Sequence, residues 1–165
     1  MKYLNFLGYI FIVFLLIVLD QYTKNLAVNG FYLKLNDYMK FINDYIRFTL
    51  VYNEGSAFGI KLFNNETYII IGSIVCIFLV YFFFKFNKKI YHLADNQKNK
   101  FLINLFNSSI LLIISGTLGN LIDRIKYSKV VDWISLLNLP IFNLADSYIT
   151  IGVILFIYSY SKLEI

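Results

Sequence analysis

Residues 116–150 read GTLGNLIDRIKYSKVVDWISLLNLPIFNLADSYIT, and how this stretch is solvated decides the fold. It starts and ends inside apolar segments long enough to lie in a bilayer, yet it carries Asn120, Asp123, Arg124, Asp132, Asn143 and Asp146. Ionisable groups at membrane depth are costly, so they face a partner, a cavity or a substrate. Asp132 and Asp146 each close an apolar run, KVVD and FNLAD, and are near enough in sequence to meet in space. The remainder of the chain reads as the scaffold that would hold such a pair at a membrane edge.

Composition supports a membrane solvent. Of the 165 residues 59% are hydrophobic and 15% charged, against about 25% charged in soluble domains, and the mean hydropathy is +0.64. This length suits one compact unit, residues 1–165. The formal net charge of +5 does not point to nucleic acid, because the basic residues gather at the ends of apolar runs, where they orient membrane helices. Cys76 is the single cysteine, so no intramolecular disulfide forms and the redox compartment is unreadable.

A membrane helix needs about 20 mostly apolar residues. Four segments qualify, at about 3–22, 67–84, 101–122 and 141–161. The first competes with a signal peptide, but no small-residue cleavage site follows and Asp20 ends the apolar core, which favours an uncleaved helix. The polar segment 24–66 contains FYLKL and then YIRFTLVYNEGSAFGI. Ile46, Phe48, Leu50 and Tyr52 alternate there with Arg47, Thr49, Val51 and Asn53, the period of a half-buried strand, and Asn53-Glu54-Gly55-Ser56 supplies a turn. The expected fold is mainly α, with four transmembrane helices and a small β-sheet between the first and second. Lys85, Lys88, Lys89, Lys98 and Lys100 crowd the second connection, which places it and both termini in the cytoplasm. Segment 24–66 and the Asp132 link then share the outer face.

Several chemistries are excluded. His92 is the only histidine and lies in the expected cytoplasmic loop, so neither a His-x-x-x-His zinc site nor a Ser–His or Cys–His pair can form outside. No glycine-rich phosphate cradle is present. No metal and no cofactor is expected. A Ser–Lys dyad stays open, since Lys24 or Lys126 could reach a serine. Two neighbouring carboxylates share a proton, so that one can take a proton from water while the other polarises a carbonyl. The same spacing also fits helix caps or ion-pair partners of Arg124 and Lys129. Asp20 and Lys24, at i and i+4, read as a structural ion pair, Asp123 beside Arg124 as structural, and Asn53 as a turn residue.

Five blocks occur in order: Asp20-Gln21-x-Thr23-Lys24, Asn53-x-Gly55-x-Ala57-Phe58, Gly116-x-x-Gly119-Asn120-x-x-Asp123-Arg124, Val130-Val131-Asp132-Trp133 and Pro140-x-Phe142-Asn143-x-Ala145-Asp146. Together they resemble bacterial lipoprotein signal peptidase (signal peptidase II) across nearly the whole chain. Ser115, Ser56 and Trp133 depart conservatively from the family's usual residues. The resemblance implies an aspartic endopeptidase of the bacterial cell membrane, with an extracytoplasmic β-cradle and its active site towards the extracytoplasmic face. It would cleave diacylglyceryl-modified prolipoproteins on the amino side of the lipid-bearing cysteine. The resemblance implies Asp132 and Asp146 as the catalytic dyad. Around substrate or inhibitor it implies Asn53, Gly55, Gly116, Asn120, Arg124, Asn143 and Ala145, with Asp20 and Lys24 as a supporting pair. Membrane lipids and globomycin-type inhibitors are implied partners. A lid from Lys34 to Ile60 is a further expectation. The rival reading is a small ion- or proton-coupled transporter using the same carboxylates, which would favour charges nearer the midplane and paired repeats.

Overall fold

The structure, a computed structural model, describes residues 2–30, 38–42, 45–55, 60–90, 96–137 and 139–163. The helices are α1 (Lys2–Asn25), α2 (Asn65–Ile90), α3 (Gln97–Tyr127) and α4 (Leu144–Lys162), and the strands are β1 (Tyr38–Ile42), β2 (Ile46–Asn53) and β3 (Val130–Leu136). A π-helical turn, Leu26–Gly30, continues α1. All four helices are long and apolar enough to cross a membrane. The FYLKL run, His92, Ala57, Phe58 and parts of the expected lid lie outside the described residues.

α3 is the hub. About half of its most apolar stretch is buried, whereas α1 and α2 turn rows of Leu, Ile and Phe outward, as lipid-facing helices do. Small residues let α3 close on its neighbours: a Cβ on Gly116 would drive into the Ala145 carbonyl oxygen of α4, and one on Gly119 would fall 2.6 Å from Asp20 Oδ2 of α1. Such close approach is the usual basis of helix association in lipid. The half of the bundle away from the sheet is sealed by aromatic rings, with Phe86 and Phe106 centroids 4.4 Å apart and Phe106 and Phe156 5.5 Å apart.

The antiparallel sheet has the order β1-β2-β3. Its third strand corrects the expected short link after α3. Val130, Val131, Asp132 and Trp133 are all buried, so the strand lacks the one-sided alternation that periodicity detects. Between Phe48 and Val51 the pairing of β2 with β3 slips by one residue. Strict alternation from Phe48 would turn Asn53 to the opposite face; the bulge returns it to the face of Asp132. The helix bounds also shift. α4 starts at Leu144 rather than near 141, because the Ile134–Phe142 bridge holds the chain extended and Asn143 caps the helix. α2 and α3 run past their apolar cores into the lysine-bearing turns.

Candidate active site

The C-terminal end of α3 meets the sheet and the first turn of α4. Asp132, on β3, is 2% exposed. Its Oδ2 accepts from Asn53 Nδ2 at 3.0 Å and its Oδ1 from Asn143 Nδ2 at 2.8 Å. Asp146 stands in the first turn of α4, where Asn143 and Asp146 form a reciprocal capping box. Its Oδ1 also accepts from Asn120 Nδ2 at 2.8 Å. The cap fixes the Asp146 carboxyl group while leaving it on the cleft, and Asn143 links it to Asp132.

Burial, and after it the negative charge of Asp146, raises the Asp132 carboxyl to about 7, against the opposing N–H donors of Asn53 and Asn143. At neutral pH Asp132 is poised between its protonated and ionised forms.

Both carboxylates open on a cleft of about 740 Å³, whose polar wall adds Asn53, Gly55, Asn120 and Arg124. Ile141, Phe142, Ile149 and Ile151 form the apolar wall, and Ile151 is half exposed on the surface of α4. Arg124 donates from Nη2 to the Gly55 carbonyl at 2.6 Å, and its guanidinium lies 4.3 Å from the Tyr68 ring centre. Tyr68 escaped the sequence reading, since a tyrosine in a first helical turn carries no distinguishing pattern.

Behind the cleft lies a second charged cluster. The Lys24 ammonium is 2.9 Å from Asp20 and 2.9 Å from Asp123, and all three side chains are buried. Asp20 accepts from the Ala145 N–H at 2.9 Å and Asp123 from the Val131 N–H at 3.0 Å, which ties α1 and α3 to the two segments bearing Asp132 and Asp146. Gln21 adds a bond to Asp123 at 2.9 Å. Asp20 and Lys24 thus sit one layer behind the cleft, and Asp123 joins them. Gly116 and Ala145 stand outside the wall of the cleft, where they form the contact that brings α4 against α3.

The family described as signal peptidase (SPase) II matches residues 12–162. The chain belongs to that family. It is 40% identical over 157 residues to the lipoprotein signal peptidase of Thermodesulfovibrio yellowstonii, covering 91% of this chain and 92% of the relative. The lipoprotein signal peptidase of Staphylococcus aureus is 37% identical, over 93% of this chain and 87% of its own. A solved bacterial membrane enzyme superposes with a TM-score of 0.78 at 34% identity, over 94% of this chain and 88% of that one. The chain is therefore a multi-pass membrane peptidase, a hydrolase that removes signal peptides from lipoproteins.

Proposed function

We propose that this peptidase is an aspartic endopeptidase, a single unit over residues 1–165, in which Asp132 and Asp146 activate water. One observation carries the reading: two buried carboxylates, joined through Asn143, head a cleft that is apolar on its lipid side. Asp146, as the anion, takes a proton from water while Asp132, protonated, donates a hydrogen bond to the scissile carbonyl. The oxygen of water bonds to the carbonyl carbon as Asp132 gives its proton to the carbonyl oxygen, giving a neutral diol without a covalent enzyme intermediate. Collapse breaks the C–N bond as the proton held by Asp146 passes to the leaving nitrogen and a diol hydroxyl returns a proton to Asp132. The substrate is a diacylglyceryl prolipoprotein, cut before its lipidated cysteine. Its acyl chains and signal helix suit the apolar wall and the surrounding lipid, while the water-soluble portion leaves over the sheet. The lysine-rich α2–α3 connection supports a cytoplasmic position for both termini, with the cleft at the outer face of the cell membrane. Globomycin-type inhibitors fit the same cleft, with Asn53, Gly55, Asn120, Arg124 and Asn143 as polar contacts.

The test is cleavage of a diacylglyceryl prolipoprotein by purified protein in detergent or lipid. Asp132→Asn and Asp146→Asn, each verified as folded, should lose about 10²–10⁴-fold or more in rate. Near-normal cleavage by either variant would overturn the dyad and redirect attention to a Ser–Lys mechanism.

A further inference from the structure

The three asparagines around the dyad share a geometric property: each amide is oriented by a group at its far end that can only donate. The Gly55 N–H donates to Asn53 Oδ1 at 2.8 Å, which leaves Asn53 Nδ2 for Asp132. The Asp146 N–H donates to Asn143 Oδ1 at 2.9 Å, which leaves Asn143 Nδ2 for Asp132. The Lys24 ammonium donates to Asn120 Oδ1 at 3.0 Å, which leaves Asn120 Nδ2 for Asp146. An ammonium offers three donors and no acceptor, so a turned-over Asn120 amide would set donor against donor. Two of these locks are main-chain N–H groups. The third is a side chain, buried and itself held by Asp20 and Asp123 at 2.9 Å each. Asn143 Nδ2 also reaches Asn120 Oδ1, at 3.2 Å, but it is divided between that atom, Val131 O and Asp132 and holds the amide only weakly.

We infer that Lys24 is a positioning residue for the hydrolysis: by fixing the polarity of the Asn120 amide, it keeps an N–H donor on Asp146 Oδ1. The inference rests on the assignment of Asp146 to the reacting pair. Without the ammonium the amide is free to turn its carbonyl oxygen onto Asp146, and two acceptors then face each other across a hydrogen-bond distance. The carboxylate must swing away or take up a proton, and either change removes the base from the water it activates. Lys24 thus acts on the reaction through Asn120 without touching the reacting atoms.

A bare Lys24 deletion would strand Asp20 and Asp123, so the test uses two variants that avoid this. Lys24→Gln combined with Asp123→Asn preserves the cluster's net charge, but the glutamine amide offers Asn120 either a donor or an acceptor. It should keep KM, lose kcat by about 10²-fold, and show a displaced acid limb in its pH–rate profile. Adding Asn120→Leu should cost this double variant nothing further, although it costs the wild type about 10²-fold. Losses that multiply, or a wild-type pH profile, would reduce Lys24 to a fold-stabilising role and overturn the inference. The second variant, Asn120→Asp, retains its partner Lys24 and is read even if the first does not fold. At neutral pH its carboxylate gives Asp146 no donor. When it is protonated, Lys24 forces the C=O towards the ammonium and the O–H towards Asp146. Cleavage should therefore recover as pH falls, with an optimum at least about one pH unit below that of the wild type. An optimum that stays where the wild type has it would overturn the inference independently.

Discussion

Asp20 with Asp123, and Asp132 with Asp146, are two pairs of carboxylates separated by little more than one asparagine, and the protein treats them in opposite ways. The first pair brackets an ammonium at 2.9 Å on each side and is shut away from the cleft. The second has no cation within ion-pair distance among the described residues; neutral side-chain amides and the Asn143 main-chain N–H solvate it, and it faces the cleft. Compensated carboxylates hold segments together, here the Ala145 and Val131 N–H groups. Burial without an ion-pair partner keeps a proton on Asp132 within reach of neutral pH, as general acid–base work requires.

The contrast is sharpest in stability. Lys24→Met leaves two buried carboxylates uncompensated and should cost about 3–5 kcal/mol, read as a collapse of the melting temperature in detergent. A melting temperature close to that of wild type would mean that the cluster is not a structural clasp. Asp132→Asn should instead leave a folded, inactive protein, so the two pairs separate on one thermal scan.

Next comes Gly119→Ala. Its Cβ would fall 2.6 Å from Asp20 Oδ2 and 3.2 Å from Ala145 Cβ, pressing on the contact between the two pairs. Overpacking of this kind costs about 1–3 kcal/mol, and cleavage should fall with it. Full activity at unchanged stability would show that the layers are not mechanically joined.

A smaller effect lies in pH. An unfolded aspartate titrates near 4, whereas Asp132 titrates at about 7 in the fold. The folded state therefore binds the proton more tightly; the stability this supplies is complete below about pH 4 and is lost as pH rises to about 7. The melting temperature of Asp132→Asn relative to wild type should accordingly rise by a few degrees between about pH 5 and about pH 8. A difference flat in pH would place Asp132 with ordinary carboxylates.

The smallest effect calibrates the rest. Glu54 and Lys61 form a 2.8 Å ion pair with both side chains 60% exposed. Solvent screens such a pair, so Lys61→Ala should leave the melting temperature unchanged within error. A clear drop would mean that exposure is a poor guide to what a charge contributes here.

Much of this was legible before any coordinates. Asp20 and Lys24 fall on one helix face at i and i+4, and their ion pair is a local consequence of that spacing. Asn143 and Asp146 sit three apart at the start of a helix, the spacing of a capping box. Asp123 was read as a structural neighbour of Arg124; its partners are Lys24, Gln21 and the Val131 N–H, which lie on other segments. Asn53 reads as a turn residue, which its bond from the Gly55 N–H supports, but that bond also aims its amide at Asp132.

The sequence by itself determined four apolar spans, the polar residues clustered at one end of them, and the short-range pairs along each helix. These are local properties, set by runs of side chains against the thickness of a bilayer and by the 3.6-residue turn. Only the tertiary structure decided that the link after α3 becomes a strand, and that a one-residue bulge turns Asn53 onto the face of Asp132. It alone decided that Lys24 reaches across to Asn120, 96 positions away. Those outcomes depend on register and on how closely α3 and α4 approach. Both are fixed by contacts between distant segments, and no pattern within a single segment encodes them.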